Sequence, residues 1–243
     1  MDRIKIGVKG IDELLGGGLP KGRTVLVSGS CGTGKTIFAS QFVHNGVKDK
    51  EPCIYITFEQ SKRKLIEDMK ELGIDFEQME SSGLFRLVGG PVGHIRRFKE
   101  KAKAGILDIA TEVKEIVEEI DAKRVVLDSV NLFTMLFEND SDRRKALAAL
   151  TSTLDKLGCT TLLTCEVREG TTNLSWYGFE EFVVDGVIVL FRIPFENMYE
   201  RGITVVKMRG IDHSKNVCAL RIDKKGVVVY PGKEPFHKMT GRK

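Results

Sequence analysis

Short apolar runs alternate along the chain with segments in which apolar residues recur every three or four positions. Uninterrupted runs of this length, bounded by turn residues, predict buried strands, whereas the longer period predicts helices with one apolar face. The predicted strands are Thr24–Ser28, Cys53–Phe58, Phe85–Val88, Arg124–Asp128 and Thr161–Cys165. The predicted helices are Lys35–Val47, Ser61–Leu72, a long one near Ala102–Ile120, and Arg143–Leu157.

This alternation predicts an α/β fold with a mostly parallel central sheet that helices flank on both faces. The pattern changes after Glu181, where strands follow one another without helices and predict a C-terminal antiparallel extension of the sheet. We expect one domain over residues 1–231 and a short basic tail over residues 232–243. The strands predicted for the extension are Val187–Ile193, Ile203–Met208, Val217–Ile222 and Val227–Tyr230.

Composition and charge narrow the class of protein only slightly. The chain has 243 residues, which suits one α/β domain, and its net charge of +4 is too small to indicate a nucleic-acid partner. The longest apolar stretch, Val183–Phe191, is interrupted by Asp185, and the first ten residues lack the apolar segment of a secretion signal. We therefore expect a cytoplasmic protein without a membrane segment. Its five cysteines have no paired spacing, which favours reduced thiols over disulfides or a structural metal site.

The segment SGSCGTGKTIFASQF, Ser28–Phe42, lies between a predicted strand and a predicted helix. It matches the pattern Gly-x4-Gly-Lys-Thr, which in this context is typical of a phosphate-binding loop. Glycines let successive backbone N–H groups turn towards a phosphate, and the helix N-terminus adds further N–H groups and a partial positive charge. The residues predicted to contact the nucleotide are Gly29, Ser30, Cys31, Gly32, Thr33, Gly34, Lys35, Thr36 and Ile37.

Two of these residues have a more specific predicted role, and two acids elsewhere complete the expected site. Lys35 is expected to reach the β- and γ-phosphates, and the Thr36 hydroxyl to ligate Mg²⁺ together with Asp128, which ends the apolar strand RVVLD. Glu59 lies at the end of the strand that follows the phosphate-loop helix, and it is a candidate for activating the attacking water. The carboxyl ends of parallel strands share one edge, so these groups are expected to converge. Alternatively, Glu59 is simply an acid at a helix N-terminus, favoured by the helix dipole.

Several segments together resemble the KaiC-like branch of the RecA superfamily. They are GIDELLGGGLPKGRTVLVSGSCGTGKT, YITFEQS, RVVLDSV, YGFEEFVVDGVIVL and KMRGIDHS, and they occur in the family's order from about Ile6 to Pro231. The resemblance implies a P-loop ATPase core of the RecA type that binds ATP with Mg²⁺. It agrees with the fold class predicted from the apolar pattern.

The resemblance also implies roles for particular residues. Glu59 occupies the position of the family's catalytic glutamate, although Gln60 follows where the clock protein has a second acid. Glu166 occupies the position of a polar sensor of the γ-phosphate. Lys207 and Arg209 match a Lys-x-Arg-Gly segment whose cations reach the nucleotide of the adjacent subunit. Without the resemblance, these two cations would instead be a solvated pair on an edge strand.

Cations acting in trans imply that the active site is complete only in a homo-oligomer, and the family indicates a hexameric ring with nucleotide at the subunit interfaces. The stretch Gly178-Phe179-Glu180-Glu181 stands where the phosphorylated domain of the clock protein has Ser/Thr acceptors, so we expect no autokinase cycle. The resemblance thus favours a Mg²⁺-dependent ATPase that acts on an unidentified protein partner.

Two alternative functions belong to other classes. A nucleic-acid-binding, recombinase-like ATPase would use the basic segment HIRRFKEKAK and the basic tail, with Arg96, Arg97, Lys99, Lys238 and Arg242 among their cations. Few aromatic residues accompany these charges, so we do not favour nucleic-acid binding. A signalling scaffold that binds ATP with little turnover would not need the acid at Glu59.

Overall fold

A computed structural model describes residues 1–90, 100, 105–195 and 197–235. Its centre is a nine-stranded sheet with the strand order β11-β10-β9-β8-β3-β7-β6-β4-β5. A separate two-stranded ribbon pairs β1 with β2 near the N-terminus. The strands are β1 Arg3–Ile4, β2 Leu19–Pro20, β3 Thr24–Gly29, β4 Cys53–Thr57, β5 Phe85–Gly89, β6 Arg124–Asp128, β7 Thr160–Glu166, β8 Gly186–Phe195, β9 Met198–Met208, β10 Cys218–Asp223 and β11 Gly226–Tyr230.

The sheet is parallel from β8 to β5 and antiparallel from β8 to β11. Every residue of β3, β4 and β6 is buried, which explains why these strands are uninterrupted apolar runs rather than alternating ones. The predicted fold class, a mostly parallel sheet with a C-terminal antiparallel extension, is confirmed.

Helices cover both faces of the sheet and bury two apolar clusters against it. Phe38 and Phe42, on the helix that follows the phosphate loop, belong to the first cluster, and Leu147 and Leu150 belong to the second. The described helices are α1 Ile11–Leu14, α2 Lys35–Lys48, α3 Lys62–Lys70, α4 Phe76–Ser81, α5 Ile106–Glu119, α6 Val130–Thr134, α7 Asp140–Lys156 and α8 Glu180–Val183.

The hairpin of β10 and β11 folds back onto α2, so the antiparallel extension contacts the helix of the phosphate loop. The side chain of Gln41 in α2 accepts a hydrogen bond from the Val227 N–H at 2.8 Å and donates one to the Val227 carbonyl at 3.2 Å. Gln41 is itself buried. The far edge of the sheet is thereby tied to the helix that begins at Lys35.

Two parts of the basic surface lie outside the described residues, namely most of the segment HIRRFKEKAK and the tail from residue 236 onwards. Residues 232–235 pack on the sheet, since the Lys233 carbonyl accepts from the Ala219 N–H at 2.7 Å and Pro235 is buried. The chain therefore contacts the sheet as far as Pro235, and the division into a domain over residues 1–231 and a tail stays a prediction. Among the described residues, no helix is long and apolar enough to span a membrane.

Candidate functional site

The phosphate loop joins β3 to α2 and is held open by glycines whose positions exclude side chains. A Cβ added to Gly29 would lie 2.6 Å from the Leu190 carbonyl oxygen, and one added to Gly34 would lie 2.8 Å from Cδ1 of Ile222. Gly32 and Gly34 also have φ angles of 74° and 101°, which other residues rarely adopt. The Thr33 hydroxyl stabilises the turn by donating to the Ser30 carbonyl at 2.8 Å. The loop therefore has the backbone shape that a phosphate cradle requires.

Lys35 is the first residue of α2, and its side chain folds back along the inside of the loop. The ammonium donates to the carbonyls of Gly29 at 2.9 Å and Ser30 at 3.0 Å. It also lies 3.8 Å from a carboxylate oxygen of Glu166, at the end of β7. Lys35 is buried, so the loop encloses its positive charge. The side chain of Glu166 is partly exposed to solvent.

Asp128 ends β6 and is surrounded by hydroxyl donors from three other elements. One carboxylate oxygen accepts from the Thr36 hydroxyl at 3.0 Å and the Tyr55 hydroxyl at 2.6 Å, while the other accepts from the Thr164 hydroxyl. Burial, followed by the charge of Asp128, raises the pKa of Tyr55 well above its usual range, so the phenol remains a donor. The hydroxyls orient the Asp128 carboxylate towards Thr36.

Glu59 follows β4, whose C-terminal residue Thr57 is directly opposite Asp128 in the sheet. The Phe58 N–H donates to the Asp128 carbonyl at 2.7 Å, which continues this pairing one residue further. Partial burial of the carboxyl, and then the charge of Asp128, raises the pKa of Glu59, while a hydrogen bond from Ser129 opposes the shift. Glu59 is an exposed residue, and solvent there moderates the effect.

The structure also assigns site positions to residues that the sequence did not single out. Tyr55 and Thr164 bind Asp128, and both lie on strands next to β6, so only the register of the sheet reveals them. The Asn131 side chain exchanges hydrogen bonds with the Glu166 backbone, at 2.7 and 3.2 Å. Arg201 on β9 donates to the Gly32 carbonyl at 3.1 Å. In the sequence, Arg201 is visible only as a cation near a predicted strand. Its position beside the loop follows from the pairing of β9 with β8.

Lys207 and Arg209 lie at the opposite end of the sheet from the phosphate loop. Arg209 bonds through its backbone to Asp185, whose N–H donates to the Thr24 carbonyl at 2.9 Å. Thr24 precedes Gly29 by five residues, so Arg209 is about 16 Å from the loop along the strand direction. The structure does not bring these two cations together with the other candidate residues.

The side chains of Lys207 and Arg209 differ in how firmly they are bound within the chain. The Lys207 ammonium donates to the carbonyls of Glu181 at 2.9 Å and Val184 at 2.6 Å. Burial, and then the charge of Arg209, lowers the pKa of Lys207. The Arg209 side chain is 56% exposed and has one ion pair, 3.6 Å from the Asp185 carboxylate. Arg209 is therefore the more available of the two.

The assembled groups are those that a magnesium–nucleotide complex requires. A hydroxyl and a carboxylate, Thr36 and Asp128, meet at 3.0 Å and supply the oxygen ligands that Mg²⁺ prefers. The glycine cradle and Lys35 supply N–H groups and positive charge for phosphates. Glu59, at the same edge of the sheet, is an acid that can orient a water molecule.

Comparison with known proteins finds the same architecture elsewhere. A family model described as the KaiC ATPase matches residues 4–234. A solved structure of a KaiC-like protein from the hyperthermophilic archaeon Pyrococcus horikoshii superposes with a TM-score of 0.82 at 36% identity, covering 95% of this chain and 99% of that one.

Several sequence relatives match over nearly the whole chain. A UPF0273 protein of Thermotoga maritima is 37% identical, covering 94% of this chain and 96% of the relative. A UPF0273 protein of Pyrococcus horikoshii is 36% identical, covering 95% of both chains. The circadian clock protein KaiC3 of Synechocystis is 32% identical over 95% of this chain, which spans 46% of that longer protein.

Proposed function

We propose, because this chain belongs to the KaiC family of ATPases, that it binds ATP with Mg²⁺ and hydrolyses it in a ring of identical subunits. The observation that carries the proposal is the convergence of four side chains at the carboxyl edge of the sheet. Lys35, Thr36, Asp128 and Glu59 come from three separate segments, yet they meet at the mouth of one phosphate loop.

Each group has a distinct role in the proposed site. The loop N–H groups and Lys35 hold the β- and γ-phosphates, so the Lys35 ammonium exchanges its loop carbonyls for phosphate oxygens. Thr36 and Asp128 would hold Mg²⁺, which neutralises charge on the phosphates. Glu166, whose carboxylate lies 3.8 Å from the Lys35 ammonium, adjoins the position of the γ-phosphate. In this proposal it senses whether the γ-phosphate is bound, and the hydrogen bonds between Asn131 and the Glu166 backbone transmit the change.

Glu59 orients the attacking water and accepts its proton. Partial burial raises the pKa of Glu59, and a carboxylate with a raised pKa is a stronger proton acceptor. The pairing of Thr57 with Asp128 supports this role, because Glu59 follows Thr57 by two residues and is exposed to solvent.

Lys207 and Arg209 act on the nucleotide of a neighbouring subunit. Their separation from the phosphate loop of their own chain supports this role, since they lie at the other end of the sheet. A head-to-tail arrangement brings one end of the molecule against the opposite end of the next, and closure of such contacts produces a ring. We propose a hexamer, in which Arg209 contributes about 10³–10⁵-fold to the rate as arginine fingers do.

We also propose that the chain does not phosphorylate itself. Glu180, in the segment where an autokinase would carry its acceptors, is fully buried. Its carboxylate accepts from the N–H groups of Tyr177 and Phe179, both at 3.2 Å, and so has a structural role. Stable labelling of the protein by ATP that carries ³²P at the γ position would contradict this proposal.

The proposed function is tested by measuring steady-state ATP hydrolysis with Mg²⁺ while the protein is diluted from micromolar to nanomolar concentration. We expect the activity per chain to fall on dilution, because a shared site is lost when subunits separate. Sedimentation at each concentration establishes whether the fall follows dissociation. Full activity of a demonstrated monomer would overturn the shared site, and the absence of hydrolysis at every concentration would overturn the ATPase.

A further inference from the structure

A basic pocket lies between the second half of α2 and the turn that joins β10 to β11. It has a volume of about 330 Å³, and its lining includes Gln41, His44, Asn45, Lys48, Lys224 and Lys225. The two turn lysines also line a second concavity of about 410 Å³, together with Lys9, Asp223 and Tyr230. We call the first concavity, lined by α2 and the turn, the turn pocket.

The turn lysines are presented by a backbone that the protein holds firmly. Gly226 has a φ angle of 95°, and a Cβ there would lie 2.7 Å from Cδ of Gln41, so the turn packs closely on α2. The Asp223 carboxylate accepts from the Lys225 N–H at 2.7 Å. Gln41 additionally binds both backbone groups of Val227. The turn pocket is therefore preformed around these lysines.

The lysines of the turn pocket, Lys48, Lys224 and Lys225, form no ion pairs within the described part of the chain, whereas some surface lysines do. Lys70, Lys114 and Lys145 each lie within 4.0 Å of an acid. The acid next to Lys48 along the chain, Asp49, is already paired with Arg124 at 3.1 Å. Grouped like charges repel one another, and an anion bound in the concavity would relieve that repulsion.

The positive potential extends to the one imidazole in the turn pocket. Burial, and then the charge of Lys48, lowers the pKa of His44. Lys48, Lys224 and Lys225 are the cations that line the pocket with His44, and Asn45 donates its amide to Asp49 at 2.8 Å. His44 is therefore a reporter placed inside the pocket, whose resonance responds to an anion bound there.

We propose that the turn pocket binds a small anion with two or more phosphate groups, at a site separate from the phosphate loop. Three lysines from two elements match more than one phosphate, and the volume is that of a small molecule. His44 and Asn45 lie nine and ten residues after Lys35 in α2, so about 15 Å of helix separates the two sites. A concave site of this size favours a small ligand over the extended backbone of a nucleic acid.

The test is an NMR titration of the His44 ring with inorganic pyrophosphate, in the presence of ADP to occupy the phosphate loop. A His44→Asn variant assigns the resonance. We expect a saturable shift of His44 in the natural sequence. The double variant Lys224→Gln/Lys225→Gln should weaken the affinity about tenfold or more, since each charged hydrogen bond contributes about 1.5–3 kcal/mol and 1.4 kcal/mol is a factor of ten.

Matched controls separate a specific site from general charge and from the phosphate loop. Lys145→Gln/Lys156→Gln removes the same charge from α7 and should leave the affinity unchanged, and Lys35→Ala should leave the His44 shift intact even if ADP no longer binds. Equal weakening in both double variants would show nonspecific attraction and overturn the proposal. So would the absence of any shift with pyrophosphate, including the case in which a short single-stranded DNA shifts His44 instead.

Discussion

At the scale of single residues, Glu59 can be neutralised with almost no change of shape. We expect Glu59→Gln to lower the turnover number for ATP by about 10²–10⁴-fold, because the water loses its proton acceptor. Equilibrium binding of ATP should change little, since Glu59 does not belong to the phosphate loop. Glu67→Gln, which removes an exposed acid paired with Arg63, serves as the control and should retain full turnover. Unchanged turnover in Glu59→Gln would remove the assigned base.

The five thiols provide a second test at the residue scale, because only Cys31 is exposed. Burial raises the pKa of Cys53 to about 12 and of Cys159 to about 11, and it also raises the pKa of Cys165. At pH 8 these thiols remain protonated and unreactive. We expect a water-soluble disulfide reagent to modify one thiol per folded chain, and none in Cys31→Ser. Since Cys31 lies in the phosphate loop, ATP should slow its modification; reaction of a second thiol in the folded protein would contradict this assignment.

Candidate site residues that belong to a local sequence motif could be predicted from the sequence. Residues that reach the site only through the pairing of strands could not. Thr36 and Asp128, the predicted metal ligands, meet at 3.0 Å, because a strand–loop–helix pattern and a strand end are both visible along the chain. Tyr55 and Thr164 are single polar groups inside apolar strands, and nothing local distinguishes them from ordinary core positions. They bind Asp128 only because β4 and β7 flank β6.

At the scale of secondary structure, Arg124 connects elements that are distant in sequence. Its side chain is 1% exposed and donates to Glu51 at 2.5 Å, to Asp49 at 3.1 Å and to the Lys5 carbonyl at 2.8 Å. The guanidinium also stacks over the Phe42 ring at 5.1 Å. One residue of β6 therefore joins the N-terminal segment, the end of α2 and the start of β4.

Replacing Arg124 should cost far more stability than replacing a surface arginine. We expect Arg124→Ala to lower the free energy of unfolding by about 3–5 kcal/mol, because two acids and a carbonyl lose their buried partner. Arg86→Ala, which breaks an exposed ion pair with Glu119, should cost less than about 1 kcal/mol. Urea unfolding followed by circular dichroism measures both. Similar losses in the two variants would show that the Arg124 network contributes little.

Buried strands and long helices were predicted well because each shows a continuous apolar run or a full helical period, whereas elements of two to four residues were not predicted. The strand predicted over Arg124–Asp128 has those bounds in the structure, and α7 begins three residues before the predicted Arg143. The two-residue strands β1 and β2 and the four-residue helix α1 contain too few residues for a pattern. Likewise, β9 begins at Met198 rather than Ile203, because its exposed first residues are paired with β8 rather than buried.

At the scale of the whole molecule, the two halves of the proposed active site lie at opposite ends of one sheet. Lys35 and Glu59 adjoin the carboxyl edge, while Arg209 lies about 16 Å away along the strands. No rearrangement within the nine-stranded sheet joins them, because β9 and β3 are both hydrogen-bonded to β8. The proposed site is therefore one that a second chain completes, and mixing inactive subunits tests this proposal.

We expect a mixture of Glu59→Gln and Arg209→Ala subunits to recover activity that neither variant has alone. After exchange at equal amounts, about one interface in four combines an intact Glu59 from one chain with an intact Arg209 from its neighbour, so about a quarter of the natural rate should return. Mixing Glu59→Gln with Lys35→Ala is the control, since both lesions lie in the same half and no interface is complete. Recovery in the first mixture alone would establish a shared site. If mass spectrometry shows mixed rings but neither mixture recovers activity, Arg209 does not act on the nucleotide of a neighbouring chain. That result would contradict the proposed shared site.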